Sequence, residues 1–570
     1  MFERTKKLIH TWNGIRKKVM ANGRTRLLVM FMPFIVAFIG YMIYYEGSFP
    51  FAFFSSLKVY GGGFDAGFGD VKFAGNFPKE TLGESAVFLL MRICLESSRW
   101  MGLYITGTFL FRFIREQALR LHAAAKARQE DAIAVHGSKH YEMLLEKVLG
   151  KQAITKSIPE KFAARKHVLA FDSDSDLMQY LGEHFLEFKA GEDKQVYLCM
   201  HDASHTKYAH EGFIVSNMAE NCARMYWRDH YIRRYGNKQE KRIALIGFGN
   251  YGQAMLSQAL MVNVFVSGMP GMEYHVFGDS RAYCRLHRGI ARFAAVNEES
   301  RDTDSVFFHE DGWENDLDLL AQMDRVILCS DDDDENIRVL SILGEELPRA
   351  VFHIRCRDAR MLRALYAEHR VDEDNPDARM SVFGTDRALY TRETILHENL
   401  LEMAKRIHAR YMCTRNTEPC QTCPNRGKTT VCVHECASFC EEWNALGMFL
   451  QRSNVCAADH MEVKLREMLK RDCRLTEESL GEYIACLQAC CAGEETVPYQ
   501  ELEHRRWMRY CFLSGWTYAD IPAKDPTSKR HPLLRPYDEL PEKELAKNMD
   551  AYMMLCDLQK ETAQSADTEK

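Results

Sequence analysis

The sequence predicts a multidomain membrane protein: a two-helix transmembrane region, then tandem α/β units, then a mainly helical C-terminal domain. Three observations carry that expectation. Leu27 to Tyr45 contains no charged residue, strand-like and helix-like segments alternate from about residue 131, and aromatic, histidine and proline residues crowd the last part of the chain. At 570 residues the chain is too long for one core, since single cores stop growing near roughly 250 to 300 residues. Charged residues make up 27% and the net charge is −6, so the apolar signal is local and no nucleic-acid partner is expected. Nineteen cysteines, most of them between Cys413 and Cys511, occur without a cleavable signal peptide. They read as reduced thiols or metal ligands and not as a disulfide scaffold.

The membrane region is expected over residues 27–115, behind a basic cytosolic N-terminus, 1–26. The run 27–45 reaches roughly 29 Å as a helix, about one hydrocarbon thickness. Its flank carries Arg16, Lys17, Lys18, Arg24 and Arg26, which places the N-terminus in the cytosol. A second helix over 86–113 ends at Arg112, Arg115 and Arg120 and returns the chain inside. A multi-pass cell-membrane protein with both termini cytosolic is therefore expected. The purely apolar part of the second helix, Trp100 to Phe111, is too short to span, so Arg92, Glu96 and Arg99 fall in or near the outer leaflet. Their spacing puts them on one helical face, where each would cost roughly 2.5–3.5 kcal/mol facing lipid at mid-depth. An ion-pair ladder between helices and a pore lining both satisfy that constraint. Between the helices, 48–65 is an aromatic run followed by glycines, placed like a re-entrant segment. Tyr60 to Asp65 does not reproduce the TVGYG order of potassium filters, so potassium selectivity is not supported.

After a charged helical linker, 116–130, two α/β units are expected. The first, 131–238, is degenerate, with His136-Gly137-Ser138-Lys139-His140 where a dinucleotide site would carry three glycines. The second, 239–411, opens with KRIALIGFGNYGQAML: an apolar strand, then Gly247, Gly249 and Gly252, then a helix. Those glycines permit a tight turn and close approach, and the free N–H groups of the helix start favour a phosphate-bearing ligand. Asn250 lies in the same turn, and Asp279, ending the next strand, is the candidate for a ribose hydroxyl. The strand RVILCS runs into Asp331-Asp332-Asp333-Asp334-Glu335, where carboxylates would cap a helix or bind a divalent cation.

Joined to two upstream membrane helices, this Rossmann-type glycine turn and the DDDDENIRVL helix start resemble the RCK or Trk-type (TrkA-N-like) domains that regulate potassium channels and transporters. The resemblance covers about 131–400 and implies paired domains that bind nucleotides or ions, with NAD or another nucleotide as ligand. No catalytic constellation accompanies the glycines, so no enzyme is expected.

The cysteine-rich insert, 412–440, carries Cys413, Cys420, Cys423, Cys432, Cys436 and Cys440. Cys420-x-x-Cys423 has a common zinc spacing, and Cys432, Cys436 and Cys440 would share a helical face. A structural zinc on four of the six is one reading; an iron–sulfur cluster and free thiols are the others. The region 441–560, before a disordered tail at 561–570, resembles the ryanodine receptor repeat (RyR) domain. His504, Arg506, Trp507, Gly515, Trp516, Tyr518, Lys529, His531, Pro532, Tyr537, Leu540 and Pro541 carry that likeness, and Asn454 and His460 lie in the part similar to bacterial versions. Trp507, Trp516, Tyr518 and Tyr537 could stack on a base while Arg506, Lys529 and His531 meet phosphate, with Asn454 and His504 beside them. Plain core packing is the rival account.

The order of the parts points to a ligand-gated, ion-channel-like membrane protein. Two helices cannot enclose a pore, so a homo-oligomer is expected, most simply a tetramer. A non-conducting, membrane-tethered sensor or defence effector is the alternative. An oxidoreductase is the weakest reading, for want of catalytic residues.

Overall fold

The computed structural model describes residues 23–45, 47–63, 82–189, 194–202, 212–294, 304–365, 379–396, 399–414, 423, 432–433, 436–493 and 495–556. It divides into an N-terminal unit, Met1–Lys126, and a main unit, Ala127–Lys570.

The N-terminal unit has two long helices, α1 (Gly23–Tyr44) and α3 (Leu82–Ala127), with a short helix, α2 (Phe49–Lys58), between them in sequence. Helix α2 begins on Pro50 in its first turn, where the missing N–H costs nothing. It folds back on α1 through edge-on ring pairs, Phe34–Phe53 at 5.4 Å and Phe38–Phe49 at 5.5 Å. The shared core is small: Ala37, Tyr41, Ala52, Val59 and Leu95. Outside it, large apolar side chains stay exposed on all three helices, including Phe31, Phe51, Phe54, Trp100, Phe109 and Phe111. Among the described residues no helix is long and apolar enough to cross a membrane. The side chains of 23–29 and 82–92, where the expected spans begin, lie outside the described residues, as do Arg92 and the last two positions of 48–65.

The main unit carries two parallel sheets, whose strands are near-continuous apolar runs, as strands covered on both faces must be. The first sheet has the order β2-β1-β3-β4-β5, with β1 Ile133–Gly137, β2 Ala153–Ile154, β3 Lys166–Ala170, β4 Gln195–Met200 and β5 Ile214–Asn217. The second has the order β11-β10-β9-β6-β7-β8, with β6 Arg242–Ile246, β7 Glu273–Phe277, β8 Ser305–His309, β9 Arg325–Leu328, β10 Phe352–Arg355 and β11 Met380–Phe383. Apart from β8 the two orders correspond strand for strand, so the halves are copies of one doubly wound plan. Sequence reasoning names neither β2, whose two residues give no alternation to read, nor β8, β10 and β11 of the second sheet.

Helices α4 (Lys139–Leu149), α5 (Asp174–Glu183) and α6 (Met218–Asp229) belong to the first half, and α7 (Asn250–Val262) and α8 (Asp333–Glu346) to the second. One hydrophobic core runs through both halves, with Tyr226 and Trp227 of α6 against Tyr251, Met255 and Ala259 of α7. The Trp227 indole N–H donates to the Met255 carbonyl at 2.9 Å. Beyond β11 come α9 (Asp386–Leu389), α10 (Asn399–Thr414), α11 (Ala437–Ala445), α12 (Met448–Asp459), α13 (Met461–Leu469), α14 (Glu477–Ala492) and α15 (Val497–Leu513). Buried polar contacts lock this helical part to both halves. Arg509 donates to Asp304 at 2.7 Å, His460 Nε2 meets the Val264 carbonyl at 2.8 Å, and Asp459 accepts from Arg224 at 2.7 Å and Gln258 at 2.8 Å.

Candidate functional site

Strand β6 ends in a turn whose glycines do what the sequence assigns them. Gly247 has φ +92°, and a Cβ on Gly252 would stand 2.1 Å from the Gly247 carbonyl oxygen. The third has an unexpected neighbour. A Cβ on Gly249 would meet an Asp331 carboxylate oxygen at 2.5 Å, and that carboxylate accepts from the N–H groups of Asn250 at 2.9 Å and Tyr251 at 3.0 Å. The chain's own carboxylate thus occupies the positive end of α7, where a pyrophosphate would sit. Sequence reasoning places Asp331 in an acidic run that caps a helix or binds a divalent cation, and not at this turn. Asp332 does cap α8, accepting from Asp334 N–H at 3.0 Å. The overlooked signal was position: Asp331 follows β9, which pairs with β6, at the carboxyl ends where such folds bind ligands.

Around this turn the halves face each other through equivalent residues. Arg355, 2% exposed, donates to Asp333 at 2.7 Å and to the Asp331 carbonyl at 3.0 Å, with its guanidinium 4.0 Å from the Tyr251 ring centre. Asp333 also accepts from Arg357 N–H at 2.8 Å. In the first half Asp174 does the same, taking the N–H groups of His201 at 2.9 Å and Asp202 at 2.8 Å. Tyr251 reaches across to His201 Nδ1 at 3.2 Å, and its counterpart Tyr141 engages Arg357. His140 Nε2 meets Asp386 at 2.9 Å. Burial lowers the His201 pKa against the pull of Asp174, and burial raises that of Asp386. Asp279 stands apart, exposed and paired with Arg281 at 2.7 Å.

In the N-terminal unit Arg99 lies 3.7 Å from Glu96 and donates to the Gly62 carbonyl at 2.8 Å. It ties α3 to the turn after α2.

Of the cysteines, Cys413, Cys423, Cys432 and Cys436 line one cavity of about 20 Å³. The Cys413 thiol hydrogen-bonds that of Cys432, and this contact, with burial, pushes the Cys432 pKa up. Cys440 is exposed, and Cys420 lies outside the described residues. Among the described residues no group of three or more His, Cys, Asp or Glu side chains is placed to hold a metal ion.

In the C-terminal helical part His504, Trp507, Trp516, His531 and Tyr537 form a connected ring cluster, with Trp507–His531 at 5.0 Å, His504–Trp507 at 5.7 Å, Trp516–His531 at 6.0 Å and His504–Tyr537 at 6.4 Å. Burial holds the His531 pKa at about 4. Arg506 is turned away from that cluster, fully buried on Glu503 at 2.7 Å; Glu503 also takes Lys464 at 2.7 Å. Burial opposes ionisation of Glu503, yet the two cations hold its pKa near 2. Lys529 bonds the Ser514 carbonyl at 3.0 Å, Asn454 bonds the Leu450 carbonyl at 3.1 Å, and Tyr518 is exposed.

No family model matches the chain, and no curated protein is significantly similar to it. Among solved structures, it is similar to a point mutant of GsuK at 15% identity, covering 65% of this chain and 95% of that one, TM-score 0.29. The GsuK channel matches at 14%, covering 64% and 81%, TM-score 0.29. GsuK bound to ADP matches at 14%, covering 62% and 92%, TM-score 0.27. At these values nothing of those proteins' behaviour transfers to this chain.

Proposed function

We propose that the chain is a membrane-anchored, ligand-gated, channel-like protein, its helices at 27–45 and 86–113 crossing the cell membrane with both termini cytosolic. Its RCK-like α/β halves and RyR-like domain sense a nucleotide-type ligand, NAD or another nucleotide. The observation that carries the membrane part is the apolar exposure of the N-terminal unit. Phe51, Phe54, Phe109 and Phe111 are each about two-thirds exposed, more apolar surface than a water-facing unit of this size presents. Lipid and neighbouring copies would cover it. Two long helices cannot enclose a pore, so the reading requires a homo-oligomer, a tetramer being the simplest. A ligand gates only by binding two states with different affinity. Competition between a phosphate and the Asp331 carboxylate for the Asn250 and Tyr251 N–H groups supplies such a pair of states.

The test is ion flux in proteoliposomes with nucleotides and divalent cations added. Ligand-dependent flux lost in Gly249→Asp assigns sensing to the second half, and loss only in Trp516→Ala assigns it to the RyR-like ring cluster. No flux from correctly inserted protein sinks gating. The non-conducting, membrane-tethered sensor would then lead, favoured already by the departure of Tyr60 to Asp65 from a potassium filter.

The cysteine spacing of the insert is what speaks for a structural zinc bound by four thiolates; among the described residues no such group is placed to hold a metal. Elemental analysis of purified protein should find zinc that Cys432→Ser loses. Iron with sulfide would indicate a cluster instead, and neither metal would leave free thiols.

A further inference from the structure

The segment that follows β7 is amphipathic and basic. Residues 279–294 hold four arginines, Arg281, Arg285, Arg288 and Arg292, against a single acid, Asp279, in a chain whose net charge is −6. Three short helical pieces carry them: Arg281–Leu286, Arg288–Ile290 and Ala291–Ala294. Tyr283, Ile290 and Phe293 bury the inner side in the core of the second half, and all four arginines and Leu286 are exposed on the outer side. Leu286 is 77% exposed.

The same surface continues onto the C-terminal helical part at the end of α15. A Cβ on Gly289 would stand 1.9 Å from the Phe512 carbonyl oxygen, the Arg292 guanidinium lies 3.5 Å from the Phe512 ring centre, and Lys529 reaches the Ser514 carbonyl at 3.0 Å. Part of this charge has structural work. The carbonyl end of a helix attracts cations, which accounts for Lys529, Arg292 is held on its ring, and Arg281 is paired with Asp279 at 2.7 Å. Arg285 and Arg288 are left over. Both are exposed, and neither has a side-chain hydrogen bond or an ion pair among the described residues. The acids at the border do not cancel them: Glu310 acts on Arg281, and the Asp525 carboxylate accepts from Thr527 and Ser528.

We infer that this surface binds the phosphate headgroups of an anionic lipid layer, with Arg285 and Arg288 on the phosphates and Leu286 entering the acyl boundary between them. Arginine forks match phosphate oxygens, clustered cations are drawn to an anionic leaflet, and an exposed leucine among cations is the composition of an interfacial contact. An acidic peptide would use the arginines and leave Leu286 in water. The inference rests on the membrane reading: a chain already held at a bilayer meets headgroups at high effective concentration, so a few cations suffice. Lipid composition would then act close to the candidate nucleotide turn, because Tyr283 of this segment packs on Phe248 of that turn with ring centres 5.1 Å apart.

The experiment places the full-length protein in nanodiscs of phosphatidylcholine alone, or of phosphatidylcholine with phosphatidylglycerol, and follows amide hydrogen exchange over 281–294 by mass spectrometry. Exchange should be roughly tenfold slower in the anionic discs, and Arg288→Ala alone should reduce that protection about fivefold. Arg285→Ala/Arg288→Ala should erase it, high salt should weaken it, and Leu286→Ser should lower it, with the thermal midpoint recording that each variant is folded. Equal exchange in the two kinds of disc overturns the inference. So does equal protection in neutral discs from inorganic phosphate, which would make a soluble phosphate the ligand, or from polyglutamate, which would make it an acidic protein. Absence of protection at 27–45 in either disc sinks the membrane reading instead. Flotation of the chain with phosphatidylglycerol vesicles but not with neutral ones would then still support the lipid surface, and flotation with neither would overturn it.

Discussion

The two α/β halves share strand order and even individual residues, yet only the second keeps all three glycines of its turn. Counted from Gly137 and Gly247, Tyr141 corresponds to Tyr251 and Glu142 to Gly252. Counted from Asp174 and Asp333, Asp172 corresponds to Asp331, and along the next strand Cys199 corresponds to Arg355 and His201 to Arg357. In the second half the turn is tight, and Asp331 and Arg355 fill the space above it. In the first, the turn carries Glu142, which lies 3.8 Å from Lys161, and the cleft is held by ring and thiol packing. The difference teaches that two copies of one fold can be held differently, one cleft by ring and thiol packing and the other by a polar network around its turn.

The sharpest way to break that comparison is to exchange demands at equivalent positions. Gly252→Ala drives a Cβ into the Gly247 carbonyl oxygen and should cost more than about 3 kcal/mol or unfold the second half. Glu142→Ala leaves the buried Lys161 without the carboxylate 3.8 Å away and should cost about 1–2 kcal/mol. Chemical denaturation of the two variants checks the contrast; equal losses would mean the turns are not distinct. Next in size is Arg355→Ala, which strands Asp333 beside an emptied, buried position and should cost about 3–5 kcal/mol. Cys199→Ala, at the matching place, removes a buried thiol and should cost about 1 kcal/mol by the same measurement.

The first half has its own sensitivity. His136 and His167 are buried together, His136 Nε2 lying 3.1 Å from His167 Nδ1, and Tyr180 takes the other side of His136 at 2.8 Å. Burial lowers both pKa values, that of His167 to about 4. The unfolded chain therefore binds protons near pH 6.5 that the folded chain refuses, so stability is full above that pH and falls as pH drops toward 4. For His167 the loss reaches about 3 kcal/mol. Thermal unfolding across pH 7 to 4.5 should show the decline, and a His136→Phe/His167→Leu double variant should flatten part of it. His230, His275 and His531, also held near 4 by burial, and the buried His353 and His460, held well below the usual imidazole range, add to the decline.

How much of this was open to sequence reasoning depends on how local the signal is. The run KRIALIGFGNYGQAML announces its strand, turn and helix because each of its features is contiguous. The service of Asp331 to the turn's N–H groups is not contiguous, since it depends on β9 lying beside β6, and an acidic run at a helix start has a sufficient local explanation. Arg506 misled in the opposite direction. Its place among tryptophans and histidines suggests phosphate contact, whereas Glu503 at i−3 and Lys464 on another helix make it a buried structural cation. The i, i+3 spacing of Glu503 and Arg506 was visible, but the burial that decides its meaning was not.

The smallest effect bears most directly on function. Asp331→Asn keeps the shape of the side chain but removes the charge that the α7 N-terminus favours. Because Asp331 is exposed, the loss should be about 1 kcal/mol. Asp172→Asn, at the equivalent exposed position of the first half, touches no helix start and should change stability by less than about 0.5 kcal/mol. If Asp331 stands in for phosphate, its neutral variant should also bind AMP or NAD at the second half more tightly than the natural chain, since a weaker competitor holds the two N–H groups. Lower stability with tighter binding would mark the carboxylate as an internal competitor. Lower stability with unchanged binding would make it a plain helix cap, and the two halves would then differ in packing but not in purpose.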